Sequence, residues 1–373
     1  MSFDLLSGLR VVDLSQWLPG PFAGQVLADL GAEVVKVEPP AGDPMRGLGP
    51  RDPDGVSAWY RQINAGKTVV RLDLKVEAGQ ATFAELLSGA DVLLESYRPG
   101  TLEKLGFGAA RRGAIAPRLI HCALSGYGQT GPLRLTGGHD INYMALGGGL
   151  AYSGTQGESV DAYPPTADHA SALQAVIAIL AAVIRRGRTG QGASLDVSLM
   201  ETVLAWQALP FTAALRGGEL APTRGQGLLN GGAAFYRLYE TADGRFVSLG
   251  AIEPKFWANF CKAVGRDDWI ARQGEPLPQQ ALIGELAALF AGKPLAAWAE
   301  LLGEVDCCFM PVLEAEEALT HPQVEARGLA RTLAGPSVEI AFGGLLDGQA
   351  QGARPPVSEA AAATVAAAWK GRG

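Results

Sequence analysis

The sequence predicts an α/β protein, with a large Rossmann-like domain built on a parallel sheet and a smaller α+β domain. Three observations carry that reading. A length of 373 residues exceeds one ordinary core. β-Branched runs alternate with helical spacings from residue 9 to about 125, the pattern of a helix-covered parallel sheet. Beyond Gly217 the texture changes to Gly-rich loops and hairpin-like runs.

Residues 9–14 (LRVVDL) read as the first strand. Residues 21–30 then carry helical spacing, with Pro21 at an allowed first-turn position, and Gly31 ends that helix. A second strand, 33–38 (EVVKVE), is closed by Pro39-Pro40 and completes a βαβ unit. Residues 69–73, 91–95 and 119–124 repeat the strand pattern after intervening helices. Long helices are predicted over 171–186 and 198–215. The most apolar stretch, 172–184, is too short to span a bilayer and reads as a buried helix. Hairpin-like strands follow at 234–238 and 245–249, and a helix near 358–369 is expected to return to the first domain. The domains are accordingly a large one at 1–200 completed by 331–373, a linker at 201–225 and a small domain at 226–330.

The composition is that of a soluble globular enzyme, 48% apolar and 18% charged. A net charge of −7 argues against nucleic acid as a partner, because a duplex binder needs a dense basic face. An anionic small molecule stays open, since a few Arg side chains and backbone N–H groups converging locally outweigh a mildly negative total. Cys122, Cys261, Cys307 and Cys308 form no C-x-x-C pair, which suggests neither a zinc knuckle nor a disulfide framework. Cys122 lies in an apolar run and reads as a small core residue of a reducing, cytoplasmic compartment. Histidines 121, 139, 169 and 321 show no ligand spacing, so no metal is expected. The N-terminus lacks a basic segment followed by an apolar one, so no secretory signal is expected.

Gly126-Tyr127-Gly128-Gln129-Thr130-Gly131 fits G-x-G-x-x-G after a strand, but Pro132 and Thr136-Gly137-Gly138 break the helix that a dinucleotide site requires there. The first βα turn, 15–21 (SQWLPGP), lacks that glycine spacing too, which argues against a nicotinamide dehydrogenase. Neither a G-x-S-x-G elbow nor a P-loop occurs. What stands out instead is an imidazole and two carboxylates in Gly-rich or Pro-flanked turns: His139 in GHDINY, Asp168 in ADH and Glu253 in GAIEP. Titratable side chains on loops of a rigid scaffold suit proton transfer.

The chain resembles the family III CoA-transferase superfamily (CaiB/BaiF), and within it the α-methylacyl-CoA racemases. The motifs are long: 9–14 with Pro19-Gly20-Pro21, DLGAEVVKVE at 29–38, LDLK at 72–75, YRPG at 97–100, LSGYGQTGP at 124–132, RTGQG at 188–192 and DVSLME at 196–201. The resemblance implies a homodimer of two interlocked subunits, with each active site at a junction between one subunit's large domain and its partner's small one. It also implies an acyl-CoA substrate on the large domain, around Arg46, Leu72, Asp73, Leu74, Lys75, Glu95, Arg98, Gly138, Asp140, Ile141, Asn142 and Tyr143. Coenzyme A would enter as part of that substrate, with no separate cofactor and no membrane partner.

The branch turns on His139, Asp168 and Glu253. Simple transferases of the superfamily usually have an aromatic residue at the position of His139 and use the single Asp as nucleophile, whereas the racemases carry all three residues. The resemblance therefore implies a racemase or epimerase of 2-methylacyl-CoA thioesters. His139 and Asp168 would flank the α-carbon as exchanging acid and base, and Glu253 would orient the imidazole. The alternative is a CoA-transferase passing through an aspartyl-CoA thioester at Asp168. A plain acyl-CoA-binding protein would leave the three residues without a common task.

Overall fold

The structure is a computed structural model that describes residues 3–217, 223–333 and 337–370. The chain divides into two compact units, one of residues 1–147, 164–203 and 321–373 and the other of residues 148–163 and 204–320. Residues 148–163 thus cluster with the second unit, not with the large domain in which the sequence reading set them, and 321–330 cluster with the first.

The first unit is built on a seven-stranded sheet. Its strands are β1 (Arg10–Asp13), β2 (Glu33–Glu38), β3 (Thr68–Arg71), β4 (Val92–Glu95), β5 (Ile120–Ser125), β6 (Ala193–Ser198) and a short strand at Ser358–Glu359. The spatial order is Ser358–Glu359, β3, β2, β1, β4, β5, β6, and every pairing is parallel. Parallel strands covered on both faces read as near-continuous apolar runs, as here, where Val11, Val12, Val92, Leu93 and Leu94 are all buried.

Helix α1 (Pro19–Asp29) follows β1, α2 (Glu77–Ser88) follows β3, α3 (Asp140–Leu146) follows β5, and α4 (Thr166–Thr189) precedes β6. The prolines at the start of α1 occupy the first turn, where a missing N–H costs nothing. Helix α4 has 24 residues, longer than the predicted 171–186, and by length and hydropathy alone it could cross a membrane. The reading of this segment as too short is therefore corrected. Its small residues Ala167, Ala170, Ala172 and Ala175 are buried, and it packs on α1, β5 and β6. The predicted helix 198–215 is two helices, Leu199–Trp206 and Ala208–Arg216, separated at Gln207.

The returning tail is integral to this unit. Ser358–Glu359 pairs with β3, and the helix at Ala362–Lys370 packs on α2 with Trp369 buried. The Trp369 indole donates to Glu33 Oε1 at 2.6 Å, and Arg10 donates to the Trp369 carbonyl at 2.9 Å. Four charges are buried at the other end of the same sheet: Lys67 pairs with Asp13 at 3.0 Å and Lys36 with Asp43 at 2.8 Å. Burial alone would raise the Asp13 carboxyl, but Lys67 and Lys36 hold it below its ordinary value.

In the second unit β7 (Tyr236–Glu240), β8 (Phe246–Gly250) and β9 (Phe309–Pro311) form an antiparallel sheet. The core against it is aromatic: Trp257, Phe260, Trp269, Phe290 and Trp298 are all buried. The indoles of Trp257 and Trp298 donate to the carbonyls of Trp269 and Phe290 at 3.0 and 2.9 Å, so burial leaves neither N–H unpaired. Helix α5 (Pro254–Ala263) follows β8.

Candidate active site

The strand order reverses between β1 and β4, so the chain leaves the sheet in opposite directions at the C-terminal ends of these strands. Open α/β sheets bind ligands in the crevice that results. Here Gln16, Trp17 and Pro19 after β1 face the loop 96–101 after β4, and the Gln16 N–H donates to Ser96 Oγ at 3.0 Å. These loops line a cavity of about 730 Å³ with Leu124 to Tyr127, Arg134, Gly138, His139, Asn142, Tyr143, Asp168 and Leu199.

Two helix starts supply its imidazole and its carboxyl. His139 is the residue before α3, exposed, with its backbone N–H donated to Asn142 Oδ1 at 3.0 Å. Asp168 lies in the first turn of α4. The helices are tied there, because the Asp168 N–H donates to Asp140 Oδ1 at 2.9 Å. Burial, and then the nearby Asp140 carboxylate, push the Asp168 carboxyl from 3.8 up to about 7. A carboxyl so placed gives and takes a proton with equal ease near neutral pH.

Tyr143 explains the glycines of this region. Its hydroxyl donates to the Gly138 carbonyl at 2.6 Å, its ring meets Tyr127 edge to face at 5.1 Å, and burial pushes its phenol up to about 12. A Cβ at Gly126 would stand 2.5 Å from the Tyr143 ring, and one at Gly138 2.9 Å from it. Gly126 therefore makes room for a tyrosine, while Gly128 and Gly131 both take a φ of 82°, so the glycines of 126–131 answer to local packing and turns rather than to a dinucleotide.

Residues 6–356 match the model of the CoA-transferase family III. The chain belongs to that family. It is 38% identical over 333 residues to the α-methylacyl-CoA racemase of Mus musculus, covering 85% of this chain and 80% of the relative. It is 33% identical over 345 residues to the succinyl-CoA:glutarate CoA-transferase of the same species, covering 90% and 78%. The crystal structure of a CaiB/BaiF family protein from Brucella suis superposes over 100% of both chains with a TM-score of 0.84 at 27% identity.

Of the residues expected around CoA in this family III chain, Arg98, Gly138, Asn142 and Tyr143 line the cavity, as do His139 and Asp168. The others stand outside its lining. The Arg46 guanidinium is engaged by Glu38 at 2.7 Å and Glu359 at 3.0 Å and lies 4.3 Å over the Tyr60 ring. Buried Glu95 accepts the Tyr97 N–H at 2.7 Å and faces His121 at 3.4 Å. Leu74 is buried, Leu72 packs on the core beneath the sheet, Asp73 caps the Lys75 N–H at 2.9 Å, and Lys75 and Ile141 are exposed. Asp140 serves as the tether to Asp168.

Trp17, Tyr97, Tyr127 and Arg134 line the cavity although the sequence reading did not single them out. For Trp17 and Tyr97 the available signal was positional, since loops after the first and fourth strands of a doubly wound sheet flank its crevice, whereas Tyr127 and Arg134 lie in the loop after β5. Glu253 belongs to the second unit, exposed at the start of α5. Burial and then Glu253 push the Cys308 thiol up, which puts the carboxylate near that residue.

Proposed function

We propose that this family III chain is a racemase or epimerase of 2-methylacyl-CoA thioesters. One observation carries the proposal: His139 and Asp168, at the starts of two tethered helices, face one cavity at the crevice of the sheet. Inversion at a carbon next to a thioester needs a base on one side and an acid on the other. His139 serves one face and Asp168 the other, exchanging roles with the direction of reaction, an assistance worth about 10²–10⁴-fold. The N–H groups of the first turn of α4 supply positive potential for the developing enolate oxygen. Glu253 would orient and charge-stabilise the imidazole in the working enzyme.

The same Asp168 suits a CoA-transferase, and the 33% identity to such an enzyme supports that reading at the level of the family. The elevated carboxyl suits proton transfer near neutral pH, and what favours the racemase over the transferase is the imidazole of His139 facing the same cavity. The substrate is thus read as an acyl-CoA, and the working form as a cytoplasmic homodimer.

The test is wash-in of deuterium at the α-carbon of a 2-methylacyl-CoA, with and without an acceptor acid. His139→Ala is expected to abolish inversion while leaving α-exchange from the enantiomer that Asp168 deprotonates, and Asp168→Ala to abolish inversion and that exchange, leaving exchange only from the opposite enantiomer. An aspartyl adduct trapped by hydroxylamine, with α-deuterium at background, would replace the racemase by the transferase.

A further inference from the structure

Trp17 has a backbone φ of 65°, in the left-handed region that a bulky side chain rarely enters. Such strain persists only where the surroundings over-determine it, and it gathers at functional sites. The frame here is unusually stiff. Ser15 gives its N–H (2.9 Å) and its hydroxyl to Asp13. Lys36 donates to the Ser15 carbonyl at 2.8 Å and pairs with Asp43, also at 2.8 Å. The Trp17 N–H points at Asp43 Oδ1 at 3.5 Å. Asp13, Ser15, Lys36 and Asp43 are all buried, yet the tryptophan they hold is 47% exposed and lines the cavity. A buried polar frame has been built around an exposed aromatic.

The position of that aromatic is informative. Phe22, in the first turn of α1, meets His169 edge to face with ring centroids 5.0 Å apart. The start of α1, which Trp17 precedes, therefore lies beside the start of α4, which bears Asp168. The cations of the cavity, Arg98 and Arg134, come from other segments, after β4 and before His139. They suit the anionic part of a thioester, whereas Trp17 offers a flat apolar face.

We propose that Trp17 is the specificity-determining residue for the acyl group, its indole stacking on a planar, ring-bearing substituent of the thioester. The proposal rests on the acyl-CoA reading above and names its substrate class.

The test compares 2-phenylpropanoyl-CoA with 2-methylbutanoyl-CoA, by calorimetric Kd and by α-deuterium exchange in the same preparations. The wild type is expected to bind the ring-bearing ester more tightly. Trp17→Gly, which accepts the left-handed backbone, is expected to weaken that ester about tenfold and the aliphatic one by less than about threefold. Trp17→Phe keeps the preference and Trp17→Leu loses it, a pair that decides the matter should the glycine variant misfold. Equal Kd values for the two esters in the wild type, an unchanged preference in the glycine and leucine variants, or an equal loss on both esters would each overturn the assignment. A preference that collapses as expected, with no exchange from either ester in the wild type, would sink the racemase and leave Trp17 as the binding determinant. If neither ester binds, both readings fall.

Discussion

The charge on Asp140 should set the pH at which the Asp168 carboxyl titrates, and Asp140→Asn isolates it. Asn keeps an oxygen to accept the Asp168 N–H now held at 2.9 Å, so the tether survives while the like charge goes. Burial remains as the larger cause of the shift, so the Asp168 carboxyl should fall from about 7 without reaching its ordinary 3.8. With Asp140 Oδ1 hydrogen-bonded to the Asp168 backbone, the two carboxyls are ~6 Å apart, and a unit charge at that distance in an effective dielectric of ~40 is worth ~1.4 kcal/mol, about one pH unit. At pH 6 a carboxyl titrating at 7 is roughly 10% ionised and one titrating at 6 roughly 50%, so α-exchange should rise about fivefold there and change little at pH 8. The assay is the pH profile of kcat/KM for α-deuterium wash-in, whose acid limb should move down. A limb that stays in place, or moves up, refutes the electrostatic role. Asp140→Ala removes the acceptor as well as the charge, and a further loss of activity at every pH in that variant would show the part the tether plays.

Asp168→Asn should make the folded protein more stable while it abolishes turnover. The folded carboxyl binds its proton more tightly than the unfolded one, so its contribution favours folding at low pH. That contribution is lost as pH rises from 3.8 through about 7. The charge therefore costs stability at neutral pH, at most about 4 kcal/mol and less after solvent screening. The variant should melt higher than the wild type at pH 8 and close to it at pH 4, and a lower melting temperature at pH 8 would contradict the burial. The interlocked dimer that the family resemblance implies could not part without unfolding a ring of chain, so on that proposal dilution in the ultracentrifuge should yield no folded monomer, and a folded monomer would contradict it.

The sheet was legible because its strands announce themselves chemically. Residues 33–38 carry a β-branched run closed by Pro39-Pro40, and strand β2 spans the same residues. Helix ends were less legible. The start of α4 at Thr166, five residues before the predicted one, lies among Pro164, Pro165 and a polar first turn, where apolar periodicity has not begun. The break at Gln207 was marked only by Pro210, which sits in the first turn of the following helix and would be out of place inside a continuous one. His139 and Asp168 were legible as unusual residues in motif-rich turns, but their convergence on one cavity depends on strands far apart in sequence. The Asp140 tether was not legible, because one backbone N–H meeting a carboxylate 28 residues away leaves no periodic trace.

The pairing of Ser358–Glu359 with β3 has a consequence for biosynthesis. A nascent chain whose last exposed residue is 320 has made every strand of the second unit, along with β1 to β6, but not the strand that finishes the larger sheet. Until residue 358 emerges, β3 is an open edge whose backbone groups can pair with any passing strand. The hollow that Trp369 fills against α2 is empty for the same interval. Completion of the larger unit therefore waits for the ribosome to deliver the tail, and the smaller unit is the first to have all its residues available. The interval between the two is when this chain is most exposed to misassociation and most in need of a chaperone.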